Sequence, residues 1–221
     1  MALLPGARTA RDCGNVHSIL CSNPAMPAPT ELKPTRPYYR NSRTSWGVVS
    51  VVIHWLFAVL LLLQCVLGWM AVSWKLSPTK INLFVWHKSL GLLLLTLIAV
   101  RLAWRASNPV PELPVTTPAW ERTAARLSHG LLYALLFVLP LTGWIINSAA
   151  NIPFRIFWQI PLPAIVSPDK ALADATARVH LVLFGVLALL LTLHVAAALR
   201  HHFVKRNAVL TRMLPGRAGT R

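Results

Sequence analysis

Six histidines lie in, or at the ends of, long apolar stretches of this 221-residue chain. They are His54, His87, His129, His180, His194 and His201. Imidazole titrates near neutral pH and is a common metal ligand, and an ionisable group inside an apolar helix is costly and usually functional. One isolated histidine of this kind is explained by a hydrogen bond to a neighbouring helix or by reaching the surface. The spacing of the whole set instead favours metal binding.

The interval between His180 and His194 carries most of this argument. The two residues are 14 positions apart, which on a helix places them within about 40° of one face and about 21 Å apart along the axis. One metal ion cannot reach both side chains. Two metal sites stacked along the helix can use one histidine each.

The elements that must position these histidines follow from the apolar pattern. The chain is 55% hydrophobic and only 13% charged, and its apolar residues form blocks close to the roughly 20 residues that cross a bilayer. The blocks cover about residues 46–70, 83–104, 127–146 and 178–199. We therefore predict an all-α fold, a four-helix transmembrane bundle that holds the two stacked metal sites.

The flanking segments complete the predicted organisation. Residues 1–45 lack hydrophobic periodicity and are predicted to be a disordered N-terminal tail. Residues 46–204 form the bundle, and 205–221 a basic C-terminal tail. The third connection, between the third and fourth apolar blocks, is rich in proline and is expected to hold a short surface helix.

The net charge of +16 does not indicate a nucleic-acid partner, because the basic residues flank the apolar blocks instead of forming one patch. Arginines and lysines are concentrated at the side that holds both termini. This bias predicts that both termini are cytoplasmic and that lipid surrounds the bundle.

Matching the histidines by depth suggests which helices share a metal. If successive helices are antiparallel, His54 lies at the level of His194, and His87 at the level of His180. Imidazoles from two facing helices can bind one haem iron from both sides. Covalent c-type haem is excluded because the sequence has no C-x-x-C-H. We therefore predict two b haems.

The same interval of 14 recurs in the other helices. It links His87 to Arg101, which places a cation where a haem propionate is expected, and His54 to Gly68, which leaves room for the second porphyrin. His129 lies at the level of His54 and is the alternative axial ligand. We favour His54, which is deeper in its apolar stretch, and assign His129 to a propionate or quinone contact.

Several short motifs then resemble the bacterial cytochrome b561 family over about residues 44–215. They are I-H-W-L at 53–56, W-H-K-S-L-G at 86–91, V-R-L-x-W-R at 100–105, L-S-H-G-L-L-Y at 127–133, L-P-L-T-G-W at 139–144, L-H-V-A-A-A-L-R-H-H at 193–202 and T-R-M-L-P at 211–215. The resemblance implies a di-haem cytochrome of the inner membrane, with bis-histidine ligation by His54, His87, His180 and His194. It also implies electron transfer from periplasmic superoxide, a small-molecule donor, to ubiquinone.

On this interpretation, two further positions are expected to act directly. Lys88, together with Lys75, Lys80 and Arg155, could steer superoxide electrostatically, although these are also ordinary flanking charges. His201 could donate a proton to reduced quinone, or anchor the helix at the membrane surface with its basic neighbours. Gly91, which closes the second motif, is assigned with Gly68 to the cofactor-binding set.

Two other functions remain for comparison. A non-catalytic relay or membrane-anchor subunit would pass electrons between quinone and a partner oxidoreductase. A transporter that uses histidines as metal or proton relays would require carboxylates within the helices, and the four apolar blocks contain none.

Overall fold

The computed structural model describes residues 39–114 and 117–214. The predicted N-terminal tail falls largely outside this range, as do the last seven residues of the predicted C-terminal tail. Within the described residues there are four long helices, a two-stranded hairpin and a 3-10 turn. They are α1 (Val48–Ser73), α2 (Pro78–Ala106), α3 (Ala119–Ala149), β1 (Arg155–Ile156), β2 (Ile160–Pro161), α4 (Lys170–Phe203) and η1 (Thr211–Met213).

Local sequence explains where the helices begin. Ser77 caps α2, its hydroxyl accepting the backbone N–H of Lys80 at 3.3 Å, and Pro78 follows at a position that needs no N–H. Asp169 caps α4 in the same way through the N–H of Leu172 at 3.1 Å. α3 starts directly after Pro118 and runs through Pro140 as one helix.

Each helix packs against the next one along the chain, α1 on α2, α2 on α3 and α3 on α4. Their shared core is made almost entirely of leucine, with Phe57 and Ile98. We call the end where α1 begins and α4 finishes the basic end, and the end that carries the β-hairpin the hairpin end.

The outer surface of the bundle is apolar. Large side chains such as Leu62, Trp69 and Leu181 are more than two-thirds exposed. All four helices are long and apolar enough to cross a membrane, and an apolar surface of this extent is suited to lipid. The predicted all-α, four-helix membrane fold is confirmed.

The helices extend beyond the predicted apolar blocks at nearly every end. α3 begins eight residues before the block at 127, and α4 begins eight before the block at 178. These added turns are polar, so hydropathy alone could not assign them. They bring Glu121 and Asp174 into helices, which corrects the expectation that the helices contain no carboxylate.

The third connection forms a hairpin, so the expectation of a surface helix was wrong. Arg155 pairs with Pro161 and Ile156 with Ile160, and the turn between them places Phe157 and Trp158 at positive φ. Prolines at 153, 161 and 163 remove the N–H groups that a helix here would need. The Phe157 N–H instead donates to the buried Ser89 hydroxyl at 2.8 Å, which fastens the hairpin to α2.

Candidate functional site

At the basic end, imidazoles from three helices of the described region lie close together. The ring centroid of His194 in α4 is 6.4 Å from that of His54 in α1 and 5.1 Å from that of His129 in α3. The His129 Nδ1 lies 2.6 Å from the Ala125 carbonyl oxygen of its own helix. The structure therefore brings both alternatives for the basic-end ligand to the same partner.

The two ring-centroid distances differ in whether they fit a pair of imidazoles bound to one metal ion. A metal–imidazole nitrogen bond is about 2 Å and the ring centre lies about 1 Å further, so two rings on opposite sides of one ion have centres about 6 Å apart. The separation of 6.4 Å between His54 and His194 matches this value. The 5.1 Å separation between His129 and His194 is too short for it.

Arg101 lies at the same level, where the sequence predicted a cation. Its Nη2 lies 3.2 Å from the His54 Nδ1, and its Nε donates to the Tyr133 hydroxyl at 3.1 Å. The remaining Nη1 is buried without a hydrogen-bond partner among the described residues. A buried guanidinium nitrogen in this position is suited to an anion, and a haem propionate would provide one.

At the hairpin end, the His87 ring lies against α1. A Cβ built on Gly68 would be 2.8 Å from the His87 Cε1, closer than side chains tolerate, so only glycine leaves space for this imidazole. The His87 ring fills the space beside Gly68, and the assignment of Gly68 to porphyrin contact stays a prediction. The His87 Nδ1 lies 3.3 Å from the Gln64 carbonyl oxygen, which can only accept, so this contact places the imidazole proton on Nδ1.

The Gln64 side chain also contacts α2 at His87. Its Nε2 donates to the His87 carbonyl at 3.0 Å and lies 3.4 Å from the His87 Nε2. A Cβ on Gly91 would approach this amide to 3.1 Å. Gly91 thus makes room for Gln64, and its assignment to direct cofactor contact stays a prediction.

His180 faces α3 at the hairpin end. Its Nδ1 lies 2.7 Å from the Thr142 hydroxyl, and a Cβ on Gly143 would be 3.7 Å from its Cε1, an ordinary contact. His87 and His180 thus lie over the glycines that follow His54 and His129 by 14 residues. His180 thus contacts α3 at the hairpin end, whereas His194 lies near both α1 and α3 at the basic end.

These residues fit b-type haem. The donor set is imidazole, the ligand of b haems with no covalent attachment, and the unpartnered Arg101 nitrogen suits a propionate. His54 and His194 would hold the iron at the basic end, and His87 and His180 the iron at the hairpin end. The structure brings these side chains to two levels, and their ligand roles stay predictions.

Lys88 is less available than the sequence suggested. Its Nζ donates to the Asn147 Oδ1 at 2.8 Å and lies 5.5 Å from the Phe154 ring centroid. Lys80 likewise donates to the Trp74 carbonyl at 3.1 Å. Both cations lie at the hairpin end, where they add positive potential while serving as contacts between segments.

His201 belongs to a cluster around a buried carboxylate. Glu121, only 8% exposed, accepts two hydrogen bonds of 2.6 Å from Lys205 and one of 3.1 Å from Arg200. The Asn207 amide lies 2.8 Å from the His201 Nδ1, and the other ring nitrogen is 3.7 Å from Glu121. The cluster joins the start of α3 to the end of α4.

Replacing Glu121 with glutamine should lower the melting temperature of the purified protein by several degrees. The amide keeps the size of the side chain but leaves three basic groups facing one another without an anion. Differential scanning fluorimetry of the detergent-solubilised protein measures this effect. Glu112→Gln, at an exposed carboxylate outside the cluster, is the matched control and should melt like the wild type. Equal melting temperatures for all three proteins would contradict a stabilising role for the cluster around Glu121.

Sequence reasoning missed three polar residues of this site. Gln64 and Thr142 contact the hairpin-end histidines, and Glu121 holds the basic end. Gln64 carried a usable signal, since it is the one amide within the block at 46–70. Thr142 carried none, because a threonine in a membrane helix usually bonds its own backbone.

The chain is similar to known bacterial proteins over most of its length. A family model described as prokaryotic cytochrome b561 matches residues 45–216. "Cytochrome b561 homolog 2" of Escherichia coli K12 is 33% identical over 183 residues, which cover 80% of this chain and 94% of that protein. "Probable superoxide oxidase CybB" of Yersinia pestis is 27% identical over 177 residues, which cover 79% of this chain and 98% of that one. "Cytochrome b562" of Cereibacter sphaeroides is 28% identical over 175 residues, or 75% and 92% of the two chains.

Proposed function

Because this chain belongs to the prokaryotic cytochrome b561 family, whose members are membrane electron-transport proteins with b-type haem, we propose that it carries two haems and oxidises superoxide with quinone as acceptor. One relative, at 27% identity, is named a probable superoxide oxidase. The observation that carries the proposal is the arrangement of imidazoles at two levels, which gives α4 one histidine for each end of the membrane.

Superoxide oxidation by quinone balances with one-electron steps. Two superoxide anions release two electrons and two molecules of dioxygen, and one quinone takes up those electrons with two protons to form quinol. When bound, b haem supplies an iron that exchanges one electron at a time. His54 with His194, and His87 with His180, would hold the two irons and would leave no open coordination site, which suits electron transfer over ligand binding.

The protein's own residues supply binding and proton transfer. At the hairpin end, Lys75, Lys80, Lys88 and Arg155 give a positive field that favours an approaching anion. At the basic end, His201 is proposed to hold and deliver a proton to the quinone oxygen. Its side chain is 14% exposed, so it is reachable from the surface.

The proposed orientation places the basic end in the cytoplasm of a bacterial inner membrane. Arg101, Arg105, Arg122, Arg126 and Arg200 lie at that end, together with both described chain ends. An excess of lysine and arginine on one side of the spans favours the cytoplasmic side. Superoxide would then meet the hairpin end from the periplasm.

The decisive experiment mixes the oxidised, purified protein with superoxide and follows the reduced b-haem absorbance by stopped flow. Reduction should be fast, should slow as ionic strength rises because charged encounter is screened, and should disappear when superoxide dismutase is added first. Added ubiquinone should then reoxidise the haems.

A different pattern would point to the relay function. If quinol reduces the haems and superoxide does not, the chain is better described as an electron-relay or anchor subunit for a partner oxidoreductase. Pyridine haemochrome analysis is the companion measurement, and one haem per chain would overturn the two-site proposal.

A further inference from the structure

Thr142 makes two short contacts that fix the direction of its hydroxyl proton. The Oγ1 lies 2.7 Å from the Leu139 carbonyl oxygen and 2.7 Å from the His180 Nδ1. A carbonyl can only accept, so the hydroxyl hydrogen points to Leu139. The hydroxyl oxygen must then accept a hydrogen from His180, because only that arrangement satisfies both contacts.

This chain of hydrogen bonds selects one form of the His180 imidazole. The proton lies on Nδ1, and Nε2 carries the free lone pair, which is the form that binds iron. Thr142 is only 8% exposed, so water does not readily replace its hydroxyl.

We propose that Thr142 is a positioning residue for His180: its hydroxyl, oriented by the Leu139 carbonyl, holds the imidazole plane and its iron-binding nitrogen. The inference rests on the proposed function, because it assumes that His180 is an axial ligand. Hydrogen bonding to the outer nitrogen of a ligating imidazole also makes the ligand more basic. Thr142 thereby favours the ferric state of the hairpin-end haem.

Thr142→Val tests this directly, since valine has nearly the shape of threonine without the hydroxyl. The hairpin-end haem should dissociate about 10–100-fold more readily, in line with losing the outer partner of a metal-bound histidine. Its midpoint potential should rise, and its low-spin ferric electron paramagnetic resonance signal should shift because the ring is free to rotate. The basic-end haem should keep its potential and signal.

Thr142→Ser is the matched control, because it restores the hydroxyl and removes only a methyl group. It should behave like the wild type. If valine and serine have equal effects, or if both haems change together, the inference is overturned. If Thr142→Val loses one haem completely while circular dichroism shows intact helices and Thr142→Ser retains two haems, the inference is supported; loss in both variants contradicts it.

The outcomes separate this inference from the proposed function. A wild-type protein with fewer than two haems, or with haems that superoxide does not reduce, overturns the function. A wild-type protein with two superoxide-reducible haems, whose redox and resonance properties the valine variant leaves unchanged, overturns only the role of Thr142.

Discussion

Replacing His180 with alanine should reduce the haem content from two per chain to one. The change removes one of the two imidazoles proposed for the hairpin-end iron. His54 and His194 lie at the other level, about 21 Å along the helix, and should keep their haem. Pyridine haemochrome analysis gives the stoichiometry, and a redox titration should lose one of its two steps.

His202→Ala is a suitable control on the same helix. The His202 ring packs on Phe203, with a centroid distance of 4.8 Å, and has no proposed ligand role. This variant should retain two haems. Loss of both haems from His180→Ala would mean that the two sites do not fold independently, and retention of both would exclude His180 as a ligand.

Replacing His54 with alanine should remove the basic-end haem, whereas replacing His129 should leave two haems bound. The reason is the spacing of the rings. The 6.4 Å between His54 and His194 fits two ligands of one iron, and the 5.1 Å between His129 and His194 does not. Haem content and the reduced absorbance spectrum of each purified variant measure the difference.

His194→Ala provides the reference for this comparison, because both alternatives assign His194 to the basic-end iron. The spectrum of His54→Ala should therefore match that of His194→Ala. If His129→Ala matches it instead, His129 is the ligand and His54 is the residue beside the propionate. The side-chain contact of Arg101 with His54 would then have to be explained by that second role.

The proposed ligands differ in which atom lies next to the imidazole Nδ1. His180 relies on a side-chain hydroxyl and His87 on the Gln64 backbone carbonyl. The His54 Nδ1 instead lies 3.2 Å from the Arg101 Nη2. A cation beside one proposed ligand and neutral oxygen atoms beside the others give the two proposed haem sites unequal electrostatic surroundings. Unequal potentials are what directional electron transfer between two sites requires.

The sequence by itself determined the membrane fold and the two levels of histidines. Blocks of about 20 apolar residues have few alternatives to spanning helices, because a backbone in lipid must satisfy its own hydrogen bonds. The interval of 14 between His180 and His194 fixes their separation on any continuous helix. Antiparallel neighbours then match His54 with His194 by depth alone.

Only the tertiary structure decided the contacts between helices. Periodicity gives the depth of a residue and its face, but not the rotation of one helix against another, so the approach of Gln64 to His87 and of Thr142 to His180 could not be predicted. The polar first turns of α3 and α4 were not predicted, because hydropathy identifies only apolar segments. The cluster around Glu121 and the contact of the hairpin with α2 depend on residues distant in sequence, which are brought together only when the bundle packs.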